Sequence, residues 1–217
     1  MNPYKLSFQL NPKTQIVADF NDPLCYIGWG YDFKPIVLIH NNTSIPLVSG
    51  PSSFNIRDLR DLLKKALNNE LILHKSITSD IGYLCNKYHK SDKGFLTEHI
   101  GSNIYRWIGY KYFLWEEYEN RKRYMTWLYN DQNGNIILEV TPSYPFSYLS
   151  KKERAHYIPY KKWMLRYKPY LIATLSRETA QQWLEQAEYF VKTIEENTEQ
   201  WEKEAELEKT LKLKVQK

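Results

Sequence analysis

Residues 124–145, YMTWLYNDQNGNIILEVTPSYP, write out an antiparallel hairpin and then a stop, and this limits the possible folds more than any other stretch of the chain. Two β-rich runs, 124–129 and 136–141, flank Asn130-Asp131-Gln132-Asn133-Gly134-Asn135. Asn133 and Gly134 are residue types that enter the positive-φ region a tight reversal needs. Pro142 and Pro145 lack a backbone N–H and are expected to end the ladder. An isolated strand pair is marginal in water, so this one must belong to a larger sheet.

More strands are legible on either side. Residues 4–10 alternate, with Leu6, Phe8 and Leu10 on one face, and a turn at 11–14 leads into a second run, 15–20. Runs 36–40 and 44–48, joined by Asn41-Asn42-Thr43, predict another hairpin before Gly50-Pro51-Ser52-Ser53 breaks the pattern. The N-terminal part therefore reads as a β-meander. Rings at Tyr105, Trp107, Phe113 and Trp115 on one parity, with Tyr110 and Tyr112 on the other, predict a strand over 105–117 that is apolar on both faces. It should pair with 123–130 across a charged loop at 116–122. Residues 70–75 and 170–175 read as further short strands.

Helical spacing follows at 55–67, where Asn55 is the expected cap, Asp58 sits near the positive end of the dipole, and Leu59, Leu62, Leu63, Ala66 and Leu67 form a stripe ended by Asn68-Asn69. Residues 77–89 suggest a short helix with Asp80 as cap. Pro159 suits a first-turn position, predicting a helix to Tyr167 that Pro169 stops. Ser176, with Glu178 and Thr179 behind it, opens the longest helix, striped by Ala180, Trp183, Leu184, Ala187, Val191 and Ile194. Trp201 and Ala205 continue that stripe weakly, so 200–217 is expected to fray or project.

The expected fold is α+β: a mostly antiparallel, twisted sheet of hairpins and meanders, covered by one medium helix and one long C-terminal helix. Residues 1–217 read as one domain, with a weak boundary at most near Ser91-Asp92-Lys93-Gly94. Strands in runs and segregated helices disfavour a doubly wound sheet and its cofactor crevice.

Composition narrows the function classes. No run approaches the roughly 18 apolar residues of a membrane span. Cys25 and Cys85 are the only cysteines; without a CxxC pair or a leader at Met1-Asn2-Pro3-Tyr4, they read as buried or free thiols of a soluble, cytoplasmic protein. The Lys, Asn, Ile and Tyr usage suits an AT-rich bacterial genome. Aromatics reach 15% of the chain, which points to ring-covered sheet faces or to a recognition surface.

Catalytic motifs are missing: there is no GxSxG, no HExxH and no glycine-rich phosphate loop, and Gly28-Trp29-Gly30 lacks the third glycine of a dinucleotide site. His40, His74, His89, His99 and His156 are dispersed. Glu98 and His99 are adjacent, and adjacent strand residues face opposite ways. Asp131 and Glu139 resemble the opening of the PD-(D/E)xK nuclease arrangement, but Thr141 stands where that pattern needs lysine. No cofactor and no metal site is expected.

Charge is strongly segregated. Residues 151–170, KKERAHYIPYKKWMLRYKPY, hold seven cations against Glu153, a formal charge of +6, while 176–208 hold ten glutamates against Arg177, Lys192 and Lys203, a formal charge of −7. The candidate binding surface comprises Lys151, Lys152, Arg154, Tyr160, Lys161, Lys162, Trp163, Arg166 and Tyr167. Two uses suit it. The cations neutralise phosphates while Tyr157, Tyr160, Trp163 and Tyr167 stack on unpaired bases; or they meet an acidic protein surface, including the chain's own acidic helix within the fold or across a dimer. The pattern points to a non-enzymatic protein that binds another macromolecule, an immunity or antitoxin inhibitor being the concrete form. An acidic target would face 151–168, and a basic nuclease toxin would face 185–208. The alternatives are a nucleic-acid binder using 151–170, and an enzyme whose site is assembled from distant residues such as His99, Glu139 and Tyr110. The oligomeric state is left open.

Overall fold

Two four-stranded antiparallel sheets, a two-stranded ribbon and four α-helices are present in the computed structural model, which describes residues 5–19, 35–49, 52–78, 80–102, 104–117, 123–145 and 157–215. Cys25, Gly28, Trp29, Gly30 and His156 lie outside the described residues. The first sheet is a meander of β1 (Lys5–Asn11), β2 (Thr14–Asp19), β3 (Ile36–His40) and β4 (Thr43–Val48) in chain order. Its alternation buries Leu6, Phe8, Ile16, Ala18, Ile36, Leu38, Ile45 and Leu47 on one face. Asn41 and Asn42 take φ of 49° and 63°, the left-handed pair that matches the twist of a two-residue hairpin.

The ribbon is β5 (Thr97–Gly101) with β6 (Ile104–Trp107), and the second sheet orders β7 (Phe113–Glu116), β8 (Arg123–Asn130), β9 (Ile136–Ser143) and β10 (Leu171–Leu175) as β10-β9-β8-β7. The expected hairpin is β8–β9, with Trp127 opposite Glu139 and Asn130 opposite Ile136. Of the two turn residues, Gly134 alone has positive φ, 82°. Asp131 organises the loop instead: its Oδ1 accepts the N–H groups of Asn133 (2.8 Å) and Asn135 (2.9 Å), and its Oδ2 accepts the Asn135 amide (2.8 Å). Pro142 does not end the ladder. It pairs with Tyr124, because β10 reaches only as far as Val140 and leaves β9 with a neighbour on one side there.

Two strand expectations fail for tertiary reasons. The run 105–117 is broken by a 3₁₀ turn, Ile108–Tyr112, between β6 and β7. Trp107 folds over Gly109, where a Cβ would lie 2.4 Å from the indole, and packs against Tyr88, Phe95, Tyr110 and Trp127. The doubly apolar pattern thus marks a ring cluster around a turn. Residues 70–75 form no strand but a single parallel bridge, Ile72 to Asn130, just after the left-handed Asn69 (φ 57°) ends the preceding helix.

That helix, α1 (Ser52–Leu67), starts before Asn55, whose carbonyl accepts the Trp115 indole N–H (3.1 Å) instead of Asn55 serving as cap. α2 (Ile81–Lys90) is capped by Asp80 as expected, whereas α3 (Tyr160–Met164) is shorter than the expected 159–167, with Pro159 at its N-cap. α4 (Arg177–Val215) opens with Ser176 Oγ accepting the Thr179 N–H (3.0 Å). Its expected stripe is buried, joined by Phe190.

Helix α4 lies along α1 and against β1: Trp183 packs on Phe8, centroids 5.5 Å apart, and donates to the Gln9 carbonyl (3.0 Å). α1 in turn covers one face of the second sheet, where Asn130 Nδ2 donates to the Ala66 carbonyl (2.9 Å). Ser49, just after β4, donates to the buried Glu117 at the end of β7 (2.7 Å), which ties the two sheets together. One contiguous apolar cluster spans both sheets, α1, α2 and α4. The remaining face of the second sheet carries Trp127, Glu139 and Thr141, and α2 packs onto it.

Candidate functional site

Antiparallel register puts Glu139 on the α2 face of the second sheet, 1% exposed, where an isolated charge would be severely penalised. Its Oε2 accepts the Tyr129 hydroxyl (2.8 Å). Oε1 has no ordinary donor, but the carboxyl lies within hydrogen-bonding reach of Asp80. Asp80 caps α2: its Oδ1 accepts the Tyr83 N–H (2.7 Å) and the Tyr167 hydroxyl (2.5 Å). Burial first, and the Asp80 charge second, push the Glu139 carboxyl up to about 8, against a weaker opposing pull from Tyr129 and the Gly82 N–H. Glu139 is therefore held in its protonated form at neutral pH, with Oε1 left without a hydrogen-bond partner. Burial and the same carboxyls hold the Tyr129 and Tyr167 phenols above their usual range, so both stay donors.

The pair exists because α2 approaches β9 closely. At Gly82 a Cβ would fall 2.1 Å from Thr141 Oγ1, so only glycine admits this contact. Thr141 Oγ1 accepts the Trp127 indole N–H (3.1 Å). Buried Asn86 fixes the far side, donating to the carbonyls of Gly82 (2.8 Å) and Pro142 (3.0 Å) and accepting the Tyr144 N–H (2.7 Å).

Tyr167 connects this acid pair to the basic segment. Its ring meets Tyr83 (5.6 Å) and Trp163 (5.9 Å), and Tyr144 packs against both Trp163 (5.4 Å) and Tyr160 (5.3 Å). Tyr144 also donates to the Ile158 carbonyl (2.9 Å). The rings of Tyr160, Trp163 and Tyr167 thus face the protein body and are half-buried. Lys161, Lys162, Arg166 and Lys168 are exposed around Leu165, which is 87% exposed. None of the four cations pairs with an acid among the described residues. Lys151, Lys152 and Arg154 lie outside those residues.

The acids of α4 have other partners. Glu188 pairs with Lys64 (2.7 Å) and Glu195 with Arg57 (3.2 Å), both on α1, and Glu196 and Glu199 pair with Lys192 and Lys203 of α4 itself. Neutralisation of the basic segment by this helix within one chain does not occur among the described residues.

The residues considered for a distant-residue catalytic centre have separate partners. The His99 ring packs on Tyr105, the Tyr110 hydroxyl bonds His89 Nε2 (3.0 Å), and Glu139 faces Asp80. The Asp131 carboxylate is used by its own loop, whose bonds, that from the Asn135 amide foremost, hold it below the usual carboxylate range. Cys85 is fully buried, and burial followed by the Glu116 charge raises its thiol well above the usual range. Among the described residues no three His, Cys, Asp or Glu side chains gather as metal ligands. A half-open depression of about 350 Å³ at the start of α4 is lined by amides, Thr174, Ser176 and Arg177, without acid or histidine. The Asp80–Glu139 pair itself escapes sequence reasoning, because a helix cap and a strand acid meet only through the Gly82–Thr141 contact.

Fold and site define an α+β protein that presents a basic surface on a segment anchored, through Tyr167, to the half-buried Asp80 beside the buried Glu139. No protein-family model, curated protein or solved structure matches the chain. Among the described residues no helix is long and apolar enough to cross a membrane.

Proposed function

We propose that this protein works by binding an acidic surface of another protein through the outward face of 157–168. The supporting observation is the orientation of that segment, with rings packed inward and Lys161, Lys162 and Arg166 exposed around Leu165 without acidic partners among the described residues. Such a face combines an apolar centre with charges that steer encounter and reject like-charged surfaces. The aliphatic stems of the lysines and Arg166 extend the apolar contact. Recognition of unpaired bases would instead require exposed stacking platforms. Tyr160, Trp163 and Tyr167 are engaged in packing, and Tyr157 is 51% exposed. An inhibitor of the immunity or antitoxin type, covering an acidic face of its target, is the concrete form of this function.

The test is capture by the tagged full chain from extract of its native host, beside the variant Lys161→Glu/Lys162→Glu/Arg166→Glu. An acidic protein retained in stoichiometric amount by the wild type, released by salt and lost by the variant is expected. Retention of nucleic acid in place of a protein, or equal retention of the partner by the variant, would overturn the proposal.

A further inference from the structure

The distal part of α4 has the properties the basic face requires of a partner. Beyond Ile194 the helix runs to Val215, about 30 Å at 1.5 Å per residue, and no residue from 195 to 208 is buried. Those residues hold seven glutamates against Lys203, a formal charge of −6. Trp201, 53% exposed, shares a helix face with Glu204 and Glu208, three and seven positions on. The arm thus offers one large apolar side chain framed by acids. The segment 157–168 offers the converse, Leu165 framed by four cations with no acid in the stretch.

We infer that the distal α4 of one copy docks on the basic face of 157–168 of a second copy, which rests on the reading of that face as a recognition surface. Charge decides between the possible pairings. Lys209, Lys212 and Lys214 bring the whole arm 195–215 to −3, but two stretches 195–208 side by side would set like charges of −6 against each other, and two basic faces would repel likewise. The heterologous contact, 195–208 to basic face, joins opposite charges, and within one chain no ion pair joins them among the described residues. Trp201 then serves as the aromatic anchor, with Arg or Lys over its ring. Reciprocal docking closes a twofold dimer; one-way docking propagates a chain of copies.

Sedimentation of the full chain across protein concentration and salt tests this with two charge-reversed variants, Lys161→Glu/Lys162→Glu/Arg166→Glu and Glu202→Lys/Glu204→Lys/Glu208→Lys. All six positions are exposed, and circular dichroism checks that each variant is folded. The wild type is expected to associate at low salt and dissociate as salt rises. Each variant alone should show a dissociation constant weakened about tenfold or more, and their equimolar mixture should associate again, since the reversed charges match across copies. A wild type that stays monomeric at low salt, or a mixture that fails to restore association, overturns the inference. In either event, loss of a host partner by the basic-face variant would leave the proposed function standing; self-association without any host partner would do the reverse.

Discussion

Replacing Glu139 with glutamine should remove most of the pH dependence of this fold between about pH 5 and 8. In the folded chain the Glu139 carboxyl is pushed up to about 8 from an ordinary value of 4.5. Below pH 4.5 the folded and unfolded chains both hold the proton, and nothing is lost. As pH rises, the unfolded chain releases the proton while the folded chain retains it, so stability falls at about 1.4 kcal/mol per pH unit. The fall ends near pH 8, where the folded group also ionises, for a total of roughly 4–5 kcal/mol, an upper bound given local relaxation and water entry. Glutamine imitates the protonated carboxyl: its carbonyl accepts the Tyr129 hydroxyl and its NH₂ donates to Asp80. Urea unfolding of both proteins at pH 5, 6, 7 and 8 measures the difference. The variant should match the wild type near pH 5 and exceed it by roughly 3 kcal/mol at pH 7. Parallel pH curves for the two proteins would refute a raised Glu139 carboxyl in the folded chain.

Three further perturbations probe the same construction. Gly82→Ala places a methyl group 2.1 Å from Thr141 Oγ1; with backbone on one side and a sheet residue on the other, a loss of about 1–3 kcal/mol in thermal unfolding is expected. Tyr167→Phe removes the hydroxyl that donates to Asp80 (2.5 Å); about 1.5–3 kcal/mol of stability should be lost, with faster amide exchange in 160–167 than in β8. Trp183→Ala empties a site 1% exposed and removes the indole donor to the Gln9 carbonyl, for a loss of about 3–5 kcal/mol by urea titration.

Local chemistry made much of the architecture readable. Asn41-Asn42 announces its hairpin because left-handed φ is a property of those side chains and their own backbone. Asp80 as a cap and the Ala180-to-Ile194 stripe are legible for the same reason. Where distant groups decide, sequence reasoning failed. The strand expected over 105–117 is interrupted because Trp107 needs Gly109 beneath its ring, and Asn55 lies inside α1, where its carbonyl accepts the Trp115 indole N–H from a distant strand. At the candidate site, the cations of 161–166 were visible in the sequence, but the inward turn of Tyr160, Trp163 and Tyr167 was not. It depends on Tyr83 and Tyr144, which reach the segment from α2 and the end of β9. The sequence pattern groups Glu139 with Asp131, or with His99 and Tyr110, whereas its neighbour Asp80 arrives at the start of a helix from earlier in the chain.

The central claim is that the outward face of 157–168 is the recognition surface. Hydrogen–deuterium exchange on the full chain, alone and in the complex captured from its host, tests it most directly. Slowed exchange in 160–168, with the β5–β6 ribbon unchanged despite its exposed Ile104 and Tyr105, is the predicted result. Unchanged exchange in 160–168 alongside new protection of that ribbon would contradict it.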